Sequence, residues 1–297
     1  MITINRILCP TDLSSESDEA LRYAVALASA YDAELLLLWC HGGRSNTESS
    51  GPTGVAPAPL FTSSLAPHLY LKNYSNLKWK GLVVNDVMDI GKAIVIEAAK
   101  HEVDLIVMRS RRRPHAAALL GSTAETVSRS AKCPVLITHP LEREWVGMSS
   151  GEIDIQRILV AYDFSGDSQL ALSYGLSLAQ EYQTELHLLN VLTKEEQEGP
   201  EIALSPGRGD GPYESRTRQL HAAIPKEAFL WCKVVNEVRC GKPHEEVLAY
   251  ATEHEIDLIC MGGSGTHFLL GVFFGSNVDR VLRKAPCPVL VARPFQT

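Results

Sequence analysis

Residues 261–276 read MGGSGTHFLLGVFFGS. Gly262 and Gly265 stand at the spacing G-x-x-G, nine residues follow, and Gly275 and Ser276 come next, ahead of a helix expected to start near Asn277. Glycine permits positive φ and removes the Cβ that keeps a backbone away from an anion. Successive N–H groups in such a turn form an anion-binding concavity. A helix N-terminus adds free N–H groups and a partial positive charge. The chemistry this spacing suggests is phosphate held by backbone amides, with the Ser276 hydroxyl as a further donor. The plainer alternative is a loop that needs only unusual dihedrals.

The stretch 108–122, MRSRRRPHAAALLGS, has a similar setting. Both stretches follow DLIVM or DLICM, and both lead to GS and then to CPVLI or CPVLV. In the earlier one, Arg109 replaces Gly262 and Arg112 replaces Gly265, and eight residues rather than nine separate Arg112 from Gly121. A large side chain at a positive-φ position is costly, so this loop is expected to take another path. Three readings stand open: a pocket that has lost its phosphate ligand, a site gripping another anion with guanidinium forks, and a basic patch for a partner or for the acidic insertion of the other half.

These turns need elements to hold them, and the chain supplies each element twice. RILCPTD at 6–12 matches RILVAYD at 157–163, so Asp12 aligns with Asp163 at an offset of 151. EVDLIVM at 102–108 matches EIDLICM at 255–261, and the offset drifts by only a few residues to the end. A module has been duplicated. Domains are expected over 1–140 and 154–297, with the boundary in the polar stretch 139–154. Within each module, short apolar runs alternate with helical patterns, which means βαβ units and a parallel sheet with right-handed crossovers. The expectation is α/β: two tandem open parallel five-stranded sheets with helices on both faces. Gly/Pro/Ser-rich insertions at 42–64 and 195–215 read as exposed loops, or as lids at the ligand edge.

Ligands in such sheets sit outside strand C-termini where the strand order reverses. If the first and fourth strands are neighbours, Asp163 lies at one lip and Gly262 at the other. Asp163 suits a ribose hydroxyl, or alternatively a helix cap, since Ser165 and Ser168 follow it.

Composition narrows the classes. A net charge of −7 argues against nucleic acid as a partner. No apolar run reaches the ~18 residues of a membrane span. The seven cysteines form no CxxC pair and no zinc spacing, which suits reduced thiols in a cytosol and no metal site. The turn 262–276 contains no Lys or Arg, and the chain has no GxxxxGK[ST]. Fast phosphoryl transfer relies on such cations. His267 could act as an acid or base but reads as a solvated loop side chain. No catalytic residue is assigned; a phosphate-binding protein with at most weak hydrolytic activity is expected.

With RILVAYDFS, ELHLLNV, VRCGKP and DLICMGGSGTHFLLGVFFGSNVDRVLRKAPCPVLVAR in view, and their first-half partners, the chain resembles a tandem universal stress protein end to end. The resemblance implies a Rossmann-like, adenine-nucleotide-hydrolase-like fold with pseudo-two-fold pairing through the fifth strand of each half. It implies ATP, ADP or AMP as ligand, with any Mg²⁺ held through phosphates, and a cytoplasmic stress-response role with a protein partner. The nucleotide residues it implies are Asp163, Val191, Gly262, Gly265, Gly275, Ser276 and Asn277. The weaker first-half set is Asp12, Cys40, Gly121 and Ser122. Whether two chains join as a homodimer stays open, as does a scaffold of the same fold with both pockets empty.

Overall fold

The computed structural model describes residues 2–14, 17–41, 54–55, 76–110, 121–139, 143–147, 151–198, 211–263 and 275–293. Two compact units emerge, Met1–Asp154 together with Arg293, and Ile155–Ala292.

In the first unit the strands are β1 (Arg6–Thr11), β2 (Glu34–Cys40), β3 (Gly54–Val55), β4 (Trp79–Val84), β5 (Leu105–Arg109) and β6 (Val135–Thr138). The helices are α1 (Asp18–Ala30), α2 (Ile90–Lys100) and α3 (Ser122–Ser130). The strand order is β3-β4-β2-β1-β5-β6. Every pairing is parallel except β3 with β4. The β3 rung corrects the expectation of five strands and an insertion made wholly of loop. Gly54 and Val55 lie opposite Val83 and Leu82, so the edge strand β4 acquires an antiparallel partner.

The second unit contains β7 (Arg157–Ala161), α4 (Gly166–Tyr182), β8 (Glu185–Leu192), α5 (Lys194–Glu198), α6 (Pro212–Ala223), β9 (Val234–Cys240), α7 (Pro243–Glu253), β10 (Leu258–Gly262), α8 (Ser276–Lys284) and β11 (Val289–Ala292). Its order, β11-β10-β7-β8-β9, is five-stranded and parallel.

The first and fourth strands are neighbours in both units. Ile7 pairs with Leu105, and Leu159 with Ile259. From β1 the chain runs outward through α1 in one direction, and through α2 and α3 in the other. Right-handed crossovers then place those helices on opposite faces. Consistent with this, α2 packs on α3, while α1 packs on β1, β2 and β5. The central strands are accordingly apolar on both sides: Ile7, Leu8, Leu35–Leu38, Ile158–Val160 and Leu258–Cys260 are all buried.

The stretch between the repeats is structured at its ends. Val146 bridges Ile153 in an antiparallel turn. Trp145 is buried against Tyr23 of α1, with ring centroids 4.7 Å apart at 87°, an edge-to-face arrangement. Arg22 of α1 holds Glu144 at 2.8 Å. Within the polar boundary stretch, Glu144 and Trp145 are thus docked on α1.

Candidate functional site

The two β1-type strands end alike. Asp163 Oδ1 accepts from the Ser165 amide at 3.0 Å and the Ser165 hydroxyl at 2.5 Å. Asp12 Oδ1 does the same for Ser14, at 3.1 and 2.5 Å. The residue after each Asp, Leu13 or Phe164, takes a left-handed backbone with φ of 60° and 65°. Bulky residues pay for that conformation in sterics, yet both halves keep it. The helix-cap alternative for Asp163 is corrected: Ser165 caps α4, accepting from the Ser168 amide. Asp163 orients the cap and stays half-buried at the strand end.

At the other lip, β10 runs through Gly262. A Cβ there would lie 2.7 Å from the Asp167 carbonyl carbon and 2.8 Å from the Ser168 amide nitrogen. Glycine is required because the end of β10 presses on the first turn of α4, and that contact is with protein backbone. Gly263 then donates to the Ala292 carbonyl at 3.0 Å, and its own carbonyl accepts from the Gly275 amide at 3.2 Å. Residues twelve apart in the chain are thus tied at the base of the turn. Gly265 and His267 lie outside the described residues.

Helix α8 opens at Ser276, one residue before the expected start, with Gly275 as an N-cap that offers no side chain. Its first N–H groups therefore have no side-chain acceptor from the cap. Asn277 is less available than expected, since its Oδ1 lies 3.2 Å from His244 Nδ1 on α7. Burial moves the His244 pKa down, and the Asn277 contact opposes this. Val191 sits half-buried near the end of β8, in register with Arg239. Beside it, Asn190 is buried, and its Nδ2 donates to the Tyr162 carbonyl at 2.8 Å, which ties β8 to the exit of β7. Sequence reading missed Asn190; a polar residue within an apolar strand run was the available signal.

The first unit keeps a crevice of about 300 Å³ at the matching place. Asp12, Cys40, Gly121 and Ser122 all line it, together with Met108 and Arg109. Burial, and then the charge of Glu97, raises the Cys40 thiol pKa to about 11, which keeps it a neutral wall group at neutral pH. Arg109 does not fill the crevice. Its Nε lies 2.9 Å from Glu19 Oε2, and the two side chains are 15% and 17% exposed. Arg112 lies outside the described residues. The aligned helices differ too: α4 starts at Gly166, whereas α1 starts at Asp18, the counterpart of Gln169. The strand end that carries an arginine thus faces a helix that begins later.

Among the described residues no cluster of His, Cys, Asp and Glu could hold a metal ion, and no helix is long and apolar enough to cross a membrane. All seven cysteines are free thiols.

The model of the universal stress protein family matches this chain twice, over residues 3–139 and 154–293. A universal stress protein of Synechocystis sp. is 25% identical over 314 residues, covering 97% of this chain and 99% of that protein. One from Thermus aquaticus is 42% identical over 143 residues, which is 46% of this chain and 97% of its own length. Among solved structures, a universal stress protein from Archaeoglobus fulgidus matches with a TM-score of 0.64 at 22% identity, over 98% of this chain and 99% of that one, a likeness of fold.

Proposed function

Because the chain belongs to the universal stress protein family, in a tandem two-domain form, we propose that it is an ATP- or ADP-binding regulatory protein whose nucleotide is held mainly by the second half. The observation that carries this is the Gly263–Gly275 hydrogen bond, which closes the glycine turn onto the uncapped start of α8. Phosphates would lie on the amides of that turn and on the Ser276 hydroxyl. Asp163 would take a ribose hydroxyl, and the Val191 backbone would face the adenine. Any Mg²⁺ would be held by phosphate oxygens and water, the usual habit of that ion. Asn277 plays the smallest part, because His244 occupies its side chain.

The site holds rather than turns over. Backbone amides bind a polyphosphate, but without a cation at the transferring group they give little stabilisation to the transition state, and 262–276 supplies no Lys or Arg. Nucleotide state would instead alter contacts with a protein partner. Free thiols throughout fit a reducing cytosol.

Isothermal titration of the purified chain with ATP tests this. The expected result is saturable binding that Gly265→Arg, which copies the first half, removes. Unchanged affinity in that variant would place the phosphates elsewhere, and a steady hydrolysis rate lost in His267→Ala would make the protein a slow ATPase.

A further inference from the structure

The outermost strands of the two units are finished differently. In the first unit, β4 carries the antiparallel rung β3, with Gly54 and Val55 opposite Val83 and Leu82. In the second, β9 ends the strand order on the side opposite β11, and no described strand lies beyond it. Its inner edge pairs with β8. The Leu186 amide donates to the Lys233 carbonyl at 2.9 Å, and the Gly241 amide donates to the Leu192 carbonyl at 3.0 Å. Between those bonds the ladder to β8 takes the backbone groups of Val235, Glu237 and Arg239, because such groups alternate sides along a strand. The N–H and C=O groups of Val234, Asn236, Val238 and Cys240 therefore point outward, and nothing among the described residues bonds to them. An edge of this kind is a template for another strand.

The side chains of β9 decide which strand fits. Arg239 lies on the α7 side of the sheet: its Cζ is 4.7 Å from the centre of the Tyr250 ring, and its Nη2 is 2.5 Å from Glu253 Oε2. Glu237, two residues earlier, shares that face, and its charge acts on Tyr250 as well. We propose that β9 pairs antiparallel with β9 of a second copy of this chain, about a two-fold axis through Val238. In that register Glu237 stands opposite the partner's Arg239, and Arg239 opposite the partner's Glu237. These are non-hydrogen-bonded positions of the ladder, where Cα atoms approach to about 4.5 Å and side chains lie closest. The two carboxylates and two guanidinium groups alternate in sign around the axis, and each opposed pair favours the ladder. Moving the axis by one residue undoes this. Placed on Glu237, it sets that carboxylate against its own copy; placed on Arg239, it sets guanidinium against guanidinium. The edge is thus self-complementary at this register and not at its neighbours, as a two-fold dimer requires.

A seven-residue ladder is small against the roughly 800 Å² that each partner of a stable dimer buries. Further area lies beside it. In the second unit the exposed large apolar side chains among the described residues are Tyr213, Phe229 and Leu230, the last 86% exposed. Tyr213 belongs to α6, which packs on β9, and Phe229 and Leu230 end the 3₁₀ turn Lys226–Leu230 just ahead of β9. Apolar side chains flanking an open edge suit a protein interface. This edge is also distinct from the fifth strand of the unit, β11, which lies at the other end of the order.

Sedimentation velocity on the full chain, over a range of concentrations, tests this. A reversible dimer is expected. Glu237→Lys turns both attractive pairs repulsive and should weaken the dimer about tenfold or more, with the melting temperature unchanged. Asn236→Pro deletes an outward N–H without touching the ladder to β8 and should weaken it in the same way. Arg239→Glu should also give monomers. An equimolar mixture of the Glu237→Lys and Arg239→Glu chains should dimerise again, because each strand then meets opposite charge across the axis. Rescue by mixing separates an interface from a folding defect. Should Arg239→Glu fail to fold once its contacts with Glu253 and Glu246 are lost, Glu237→Lys and Asn236→Pro decide the outcome by themselves. A wild-type chain that stays monomeric overturns the proposal. So does a dimer that keeps its full strength in both of those variants, as one joined through the fifth strands would.

Discussion

Gly262 and Ser168 approach so closely that a Cβ on the first would lie 2.8 Å from the amide nitrogen of the second. Backbone on one side and helix N-terminus on the other leave no flexible side chain to yield. Gly262→Ala should therefore lower stability by about 1–3 kcal/mol through overpacking, read as a fall in the urea midpoint of the second half. An unchanged midpoint would mean that α4 shifts aside freely.

Asp163 and Asp12 make the same hydrogen bonds at equivalent strand ends, so they form a matched pair for assigning the nucleotide. Asp163→Ala should weaken ATP by about 10- to 100-fold, the loss of a hydrogen bond to a charged acceptor. Asp12→Ala should leave the ATP affinity of the chain within about twofold. Calorimetry checks both, and the reverse ranking would move ATP to the first half.

His187 lies buried on β8, with Nδ1 2.8 Å from the Tyr250 hydroxyl on α7. Burial pushes its pKa down to about 4. The Glu185 charge opposes that shift, while His254, Arg157 and Lys233 add to it. An unfolded histidine titrates near ~6.5, so between about 6.5 and 4 the unfolded chain binds the proton first. The stability tied to neutral His187 is fully present above ~6.5 and is lost as pH falls toward 4. The melting temperature should drop across that window, and His187→Gln should flatten the drop. An identical slope in the variant would assign the acid sensitivity to other groups.

Trp145→Ala should cost about 3–5 kcal/mol, the usual range for deleting a buried aromatic ring. Only the first unit contains its contact with Tyr23. The unfolding transition of that unit should fall first in scanning calorimetry. A loss below about 1 kcal/mol would show that the segment's docking rests on the Arg22–Glu144 pair.

The duplication, the alternation of elements and the reversal of strand order were legible because each leaves a local trace. Apolar runs such as ELLLLWC and DLICM have the length and composition of doubly covered strands, and a repeat offset can be counted. The pair Arg109–Glu19 was not legible. It depends on which face of α1 meets the end of β5, and that packing relation is written in neither segment. Trp145 was read with its polar neighbours, and its burial depends on Tyr23, far away in sequence. The β3 rung hides in Gly54 and Val55, two residues without the alternation that marks a strand. Gly262 was read for anion approach, while its close neighbour is the backbone of α4. Either demand would require the same missing Cβ, and spacing alone cannot separate them.

Leu13 and Phe164 share a left-handed dihedral that neither side chain favours. The retention of that conformation in both halves, while Gly262 and Arg109 parted ways, gives the molecule an unusual experimental property. Each half is an internal control for the other, at fixed one-to-one stoichiometry and under identical conditions. A difference in response between Asp12 and Asp163 can be traced to the strand end and the helix start that face them, because their contacts to Ser14 and Ser165 and the left-handed residue between are the same.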